Sequence, residues 1–379
     1  MSLRLLFFIS SLSSGGAERV TANLANYWAK KGWEVTVVTL SDGVDDFYEL
    51  ESSVRRIKLA MLQESSGFSM VLVNNLRRLF ALRALLKEIN PHVALGMMEK
   101  SNILLSLAAK SVPNVVAVGS EHTHPPQVPL GRIWEVLRRR CYAHLGAVSA
   151  LTTETRDWLL RHTSVKKVAV IPNPVPWPLP AQNPTLLPRT IVPPGKKLLL
   201  AIGRLTEQKG FDLLIDAFGR IASMHPDWHL AILGDGPLRS SLITQIKKGS
   251  MEDRITLAGI AGNIGDWYQA ADLYVMSSRV EGFGNTLAEA LAYGVPSVSF
   301  DCDAGPRNII RHEVDGLLVN NGDVGALSEA MDRLMHDELL RQRMGVRAIE
   351  ARERFAIERV AGMWERLFAE LLVAKKKGN

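Results

Sequence analysis

Two halves with the same alternating pattern predict an α/β protein of two Rossmann-like parallel-sheet domains facing across a cleft. Three observations carry this. Each half alternates short apolar runs with longer helical patterns, and a proline-rich stretch separates the halves. At 379 residues the chain is long enough for two domains, each with a sizeable core. Composition is globular, 47% hydrophobic and 22% charged, without a low-complexity tract.

The elements follow in order. LRLLFFIS has too short an apolar run for a signal-peptide core and no small-residue cleavage site after it, so it reads as a buried first strand. AERVTANLANYWAKKG is a helix closed by Gly32. EVTVVTL, rich in β-branched residues, is the second strand. HVALGM, NVVAVGS and GAVSAL are further strands, and the prolines of KKVAVIPNPV close the half. Residues 172–195 carry prolines throughout and sustain neither strand nor helix. The second set runs from strand KLLLAIGRL through helix FDLLIDAFGRIASM to strands HLAILGDG, RITLAG, LYVMS and PSVSF. A shorter strand, DGLLV, precedes a helical region at about 324–340. The expected divisions are 1–175, a linker at 176–195, 196–359, and a helix at 360–379 that packs back across the cleft onto the first domain.

Charge is uneven. Residues 1–175 hold 21 Lys+Arg against 14 Asp+Glu, and residues 176–379 hold 24 against 25. The basic first half suits an anionic membrane surface or a phosphorylated acceptor, with plain solvated charge as the bland account. No stretch reaches the roughly 18 apolar residues of a bilayer span. Cys141 and Cys302 lie in separate halves and form no disulfide framework or clustered metal site. No GxGxxG fingerprint supports a nicotinamide cofactor. No repeat of stacking aromatics and cations supports nucleic-acid binding.

EGFGNTLAEALAYGVPSV at 281–298 sets Glu281 and Glu289 eight positions apart around a Gly-Asn-Thr turn. A short helix beginning near Asn285 or Thr286 would offer backbone N–H groups to a phosphate, with a carboxylate to either side. GRLTEQKG at 203–210 follows a strand, so Arg204 and Lys209 can converge on one anion. SSGGAERV at 13–20 puts Gly15 and Gly16 where a backbone can approach a ligand closely. GDGPLR brings Gly234 to another strand end. EHTHPP at 121–126 puts His122 and His124 in a loop, too few ligands for zinc; His122 suits a hydrogen bond to a sugar hydroxyl. DCD at 301–303 could in isolation hold a divalent cation, but after PSVSF it reads more simply as a polar turn. NNLRRLFALRALLKEI at 74–89 is amphipathic, with Leu76, Phe80, Leu82, Leu85 and Leu86 against Arg77, Arg78, Arg83 and Lys87. Helix-on-sheet packing accounts for its apolar residues, while its cations, with WEVLRRRC at 134–141, leave a membrane-facing or pyrophosphate-facing alternative.

In this order, SGGAERV, GRLTEQKG, GDGPLR, EGFGNTLAEALAYGVPSV and DGLLV resemble the retaining GT-B glycosyltransferases of family 4, over almost the whole chain. EGFGNTLAE is similar to that family's E-x7-E element. The resemblance implies an N-terminal acceptor-binding domain and a C-terminal nucleotide-sugar-binding domain. It implies catalytic roles for His122, Glu281, Arg204 and Lys209. Glu281 would lie by the donor sugar, and Gly282, Phe283, Gly284, Asn285 and Thr286 would form the turn against the diphosphate. Glu289 would hold the ribose hydroxyls, while Arg204 and Lys209 bind pyrophosphate. Gly234 would border the nucleotide or sugar, and Gly15 and Gly16 would approach donor phosphates and acceptor. His122 would stand near the donor sugar's C6 hydroxyl, and Glu18 would contact the acceptor. The implied reaction is transfer from a UDP-sugar with retention at C1, by a front-face route without an obligate cofactor or metal.

GGAER, SEH and the basic helix also resemble bacterial transferases acting on undecaprenyl-pyrophosphate-linked glycans. Those that add N-acetylgalactosamine in bacterial N-glycosylation are the nearest type. That implies acceptor-pyrophosphate contacts from Arg77, Arg78 and Arg83, and a peripheral place on the cytoplasmic face of the inner membrane. THPPQVPLGRIWEVLRRR departs from the pattern, so the acceptor and the number of sugars added stay open. A hexosyltransferase with a soluble or other lipid acceptor, in polysaccharide or lipopolysaccharide synthesis, shares the donor motifs. A nonenzymatic nucleotide-binding protein is the remote alternative.

Overall fold

The computed structural model describes residues 2–62 and 68–378. The chain divides into two compact units. One runs to Pro174 and regains the chain at Ile357; the other is Val175–Ala356.

The first unit holds strands β1 (Arg4–Ile9), β2 (Glu34–Thr39), β3 (Arg55–Lys58), β4 (Val93–Met97), β5 (Val116–Glu121), β6 (Ala147–Ala150) and β7 (Val168–Val170). They pair in the order β3-β2-β1-β4-β5-β6-β7, all parallel. On β1, Leu5, Phe7 and Ile9 enter one core cluster and Leu6 and Phe8 the other. Both sheet faces are covered, so RLLFFI is continuously apolar rather than alternating. β3 is an edge strand that the pattern of apolar runs did not anticipate. Its sequence, RRIK, is mostly charge, which protects an open sheet edge from further pairing.

The helix Gly16–Lys30 ends at Gly32, whose φ is +85°. The Gly32 N–H donates to Ala29 O and the Trp33 N–H to Trp28 O, both at 3.0 Å, a Schellman closure. Trp33 stacks on Trp28 at 5.4 Å, the apolar contact that accompanies such an ending. The same Trp28 anchors the C-terminal helix Ile357–Gly378. Its Nε1–H donates to Glu365 Oε1 at 3.0 Å, and its ring lies 5.7 Å from Phe368. Val360, Ala361, Trp364, Leu367 and Phe368 are buried, a 3.6-residue stripe laid on the first unit's core.

The helix Phe68–Ile89 does not carry one apolar stripe. Leu82 and Leu86 are fully buried, whereas Leu76 and Phe80 are 43% and 62% exposed. At 100° per residue, Leu72, Leu76 and Phe80 share a face that the core does not cover. Helix-on-sheet packing therefore accounts for Leu82, Leu85 and Leu86 but not for Leu76 and Phe80.

The second unit pairs β8 (Lys197–Ile202), β9 (Trp228–Leu233), β10 (Ile255–Gly259), β11 (Leu273–Met276), β12 (Ser297–Asp301) and β13 (Gly316–Asn320). Their order is β10-β9-β8-β11-β12-β13. The proline-rich segment read as a linker is fastened to this unit. Leu186 exchanges two hydrogen bonds with the Asn263 side chain and accepts a third from Trp267 Nε1. Trp177 lies edge-on to Tyr293, with the Arg352 guanidinium 3.6 Å from its ring centre. Prolines deny this segment a ladder, so side chains satisfy its backbone instead.

Candidate functional site

Each sheet reverses its strand order once, between β1 and β4 in the first unit and between β8 and β11 in the second. Loops leaving adjacent strand ends diverge at such a point, which makes it the usual ligand position in open α/β sheets. Most of the expected residues fall at these two places.

In the second unit, Arg204 and Lys209 follow β8, and Glu281 to Thr286 follow β11. The two loops are laced together. Ser277 Oγ donates to Lys209 O at 3.0 Å, Gln208 Nε2 donates to Val280 O at 3.0 Å, and the Arg279 N–H donates to Gln208 O at 2.8 Å. This brings Lys209 Nζ to 2.6 Å from Glu281 Oε1, which also accepts from Ser278 Oγ at 2.7 Å. Glu281 is buried, so its charge is compensated by one ammonium and one hydroxyl. Arg204 is exposed. Lys209 and Glu281 thus form one unit, with Arg204 in the same loop after β8.

The helix Asn285–Ala292 starts after Gly284, whose φ is +103° and which makes no side-chain capping bond. An L side chain there would be strained, and the N-cap glycine itself brings no capping side chain. Glu289 sits one turn inside, buried, and accepts from Tyr268 OH at 3.1 Å. Tyr268 OH also reaches Thr286 O at 3.0 Å, and Tyr274 OH donates to Thr286 Oγ1 at 2.7 Å. Burial pushes the Tyr274 hydroxyl well above the usual tyrosine range, so it serves as a donor. Neither tyrosine nor Ser278 was legible as a partner, because each meets its acceptor through the fold. The Phe283 ring packs on Phe355 at 5.5 Å, and Gly305 lies close against the Phe283 backbone, so this residue shapes the turn from within. Gly234 has φ +128°, and a Cβ there would stand 2.0 Å from Gly203 O; its glycine answers a close approach of two strand ends.

In the first unit, Gly15 precedes the helix Gly16–Lys30. The Glu18 carboxylate folds over it, 2.0 Å from where a Cβ at 15 would lie. Met98, between β4 and the helix Glu99–Ala109, has φ +73° and ψ 161°, a strained conformation of the kind that gathers at functional sites. His122 leaves β5, with Nε2 3.0 Å from Ser120 Oγ. Burial depresses its imidazole to about 4, so the ring is neutral at ordinary pH. The neighbouring Glu121 is fully buried. It is pushed up to about 8, first by burial and then by Glu99. Tyr142 OH donates to its Oε1, while Oε2 has no partner among the described residues. Asn102 holds Ser120 through both backbone groups, at 3.0 and 3.1 Å.

The helix cations separate. Arg78 donates to Met61 O at 3.0 and 2.7 Å and to Asn75 Oδ1 at 3.2 Å. It ties the segment after β3 to the helix, whereas Arg77 is exposed. On the helix Arg132–Cys141, Arg138 is buried against Glu135 and the Trp158 ring. Its neighbours Arg132, Arg139 and Arg140 are exposed, as are Ile133 and Val136. No helix among the described residues is long and apolar enough to cross a membrane.

Two parallel Rossmann-like sheets, each with its glycine-rich loops at the reversal of strand order, define a GT-B fold. The model named glycosyl transferases group 1 matches residues 184–351, and glycosyltransferase family 4 matches residues 14–176. Together they account for nearly all of the chain, which belongs to the GT-B glycosyltransferases and is a glycosyltransferase enzyme. An exopolysaccharide phosphotransferase of Streptomyces coelicolor is 36% identical over 73% of this chain, which spans 28% of that protein's length. A Campylobacter jejuni α-1,4-N-acetyl-D-galactosaminyltransferase acting on GalNAc-α-(1→4)-GalNAc-α-(1→3)-diNAcBac-PP-undecaprenol is 28% identical, over 97% of this chain and 99% of that one. The amylovoran biosynthesis glycosyltransferase AmsD of Erwinia amylovora is 27% identical, over 95% and 98%. Among solved structures, sucrose-phosphate synthase of Thermosynechococcus elongatus superposes with a TM-score of 0.84 at 19% identity, over 98% of this chain and 100% of that one. Anabaena HepE, in complex with UDP and glucose, gives 0.79 at 17%, over 97% and 100%. At these identities the likeness speaks to the fold.

Proposed function

We propose that this enzyme transfers N-acetylgalactosamine, or another N-acetylhexosamine, from a UDP-sugar to an undecaprenyl-pyrophosphate-linked glycan with retention at C1. The observation that carries the donor half is the Lys209–Glu281 pair, 2.6 Å apart, in the loops that lead to a helix start with glycine at its N-cap. That start and the cations Lys209 and Arg204 suit a leaving nucleoside diphosphate, because fixed positive charge is worth most where negative charge develops. The bond from C1 to the diphosphate breaks as the acceptor oxygen bonds to C1. The acceptor proton passes to the departing phosphate oxygen, so neither a protein nucleophile nor a metal is required. Glu281, already holding Lys209 and Ser278, orients the ammonium rather than attacking C1. Glu289 binds the ribose hydroxyls, and His122 the sugar's C6 hydroxyl. UDP in the HepE complex supports the choice of base, and the full-length match to the Campylobacter transferase supports the choice of sugar and acceptor.

The acceptor reading also draws on the exposed stripe Leu72, Leu76 and Phe80, beside Arg77 and Lys87. Apolar side chains flanked by cations suit the surface of an anionic bilayer. On this reading the enzyme is peripheral, on the cytoplasmic face of the inner membrane. Leu76→Asp with Phe80→Asp should reduce pelleting with anionic vesicles without lowering stability; unchanged pelleting would remove this face from the reading. The amylovoran relative favours a second reading, a polysaccharide acceptor with the same donor chemistry. The deciding experiment incubates the enzyme with membranes bearing lipid-linked glycans and a panel of UDP- and GDP-sugars, then weighs the products by mass spectrometry. An N-acetylhexosamine increment on a lipid-pyrophosphate glycan supports the first reading. Turnover only on soluble glycans discards its acceptor half.

A further inference from the structure

Ser120 and Ser149 face one another across β5 and β6, Cα partners in the ladder, and both are buried. Ser149 Oγ stands 2.9 Å from Ser120 Oγ, and Ser120 Oγ stands 3.0 Å from His122 Nε2. Two hydroxyl protons and one ring face share these two contacts, and counting them leaves one arrangement. If His122 donated from Nε2, three protons would share two contacts, and one of the two hydroxyl protons would be buried without an acceptor among the described residues. A buried donor left unpaired is costly. If Ser149 donates to Ser120 and Ser120 donates to Nε2, both hydroxyl protons are used. Asn102 holds the Ser120 backbone through both its N–H and its C=O, which fixes the strand position from which the hydroxyl projects.

We propose that Ser149 and Ser120 are positioning residues that fix His122 as the neutral Nδ1–H tautomer, making its ring a dedicated hydrogen-bond donor to an oxygen of the bound sugar nucleotide. The functional half of this rests on the reading of His122 as a donor-sugar contact. A proton added at Nε2 would meet the Ser120 hydroxyl proton. The relay therefore adds to burial in resisting protonation, and the ring does not act as a general base at Nε2.

The test is long-range 1H–15N correlation on the full chain labelled with 15N-histidine, with the His122 signals assigned by their absence in His122→Gln. The expected spectrum has Nδ1 protonated and Nε2 unprotonated. Ser120→Ala should move the tautomer ratio toward Nε2–H by about fivefold, the usual worth of one neutral hydrogen bond. It should lower turnover as well, and Ser120→Thr should recover both. Should Ser120→Ala fail to fold, Ser120→Cys, whose thiol is a much weaker donor than a hydroxyl, reads a shift in the same direction. A wild-type ring protonated at Nε2 overturns the inference, as does an unchanged ratio in a folded Ser120→Ala protein. A shifted ratio with wild-type turnover overturns its functional half. Full turnover by His122→Gln instead defeats the donor-sugar reading and leaves the tautomer assignment to stand on its own spectrum.

Discussion

Removing the Lys209 ammonium should separate stability from turnover. Lys209→Ala leaves Glu281 buried with Ser278 Oγ, at 2.7 Å, as its remaining partner among the contacts above. Breaking a fully buried ion pair costs about 3–5 kcal/mol. The Lys209 side chain is 23% exposed, so water partly replaces it, and about 2 kcal/mol is expected in urea unfolding. Turnover should fall further than this destabilisation explains. A charge-assisted hydrogen bond of about 1.5–3 kcal/mol, made to the departing diphosphate, corresponds to roughly 10- to 150-fold in kcat. Pairing Lys209→Ala with Glu281→Gln removes the orphaned charge. The double variant should regain most of the stability while staying slow, and coupling on the order of 1–2 kcal/mol should appear in the unfolding cycle. Steady-state release of UDP and urea melts, measured on the four proteins of the cycle, read both quantities. Wild-type turnover in a folded Lys209→Ala protein, or recovery of turnover in the double variant, would refute the assignment.

Gly284→Ala puts an L side chain at φ +103°, costing roughly 1–2 kcal/mol; UDP titration calorimetry should show weaker binding, and unchanged affinity would detach this helix start from the nucleotide. Glu121, raised from 4.5 to about 8, keeps a proton in the folded state that the unfolded chain loses. It therefore destabilises the fold increasingly as pH climbs through that window. Glu121→Gln should gain on wild type by a few kcal/mol between pH 5 and pH 8, and a constant difference in urea midpoints would contradict the burial argument. Phe368 is fully buried between Trp28 and Trp364, so Phe368→Ala should cost about 3–5 kcal/mol in thermal unfolding; a loss below 1 kcal/mol would mean the C-terminal helix contributes little to the first unit.

Much of the architecture was legible along the chain, because strand and helix periods are local. A strand buried on both faces must be a continuous apolar run, as RLLFFI and KLLLAI are. A helix that ends on a left-handed residue calls for a glycine there, as at Gly32. The spacing of Glu281 and Glu289 around Gly-Asn-Thr put the helix start near Asn285 or Thr286, and it begins at Asn285. RRIK escaped notice because an edge strand protected by charge shows no apolar period. The amphipathic segment 74–89 showed which residues are apolar, but not that the core takes Leu82 and Leu86 and leaves Leu76 and Phe80.

Chain spacing by itself thus determined two parallel sheets, glycine-rich strand ends and a helix start behind the Gly-Asn-Thr turn, since each depends on neighbours a few residues apart. Tertiary structure alone decided that Lys209 meets Glu281 across 72 positions, that Arg78 serves a backbone carbonyl, and that Ser149 stands behind Ser120 and His122. Those choices follow strand order and ladder register, which bring distant side chains together where no local period links them.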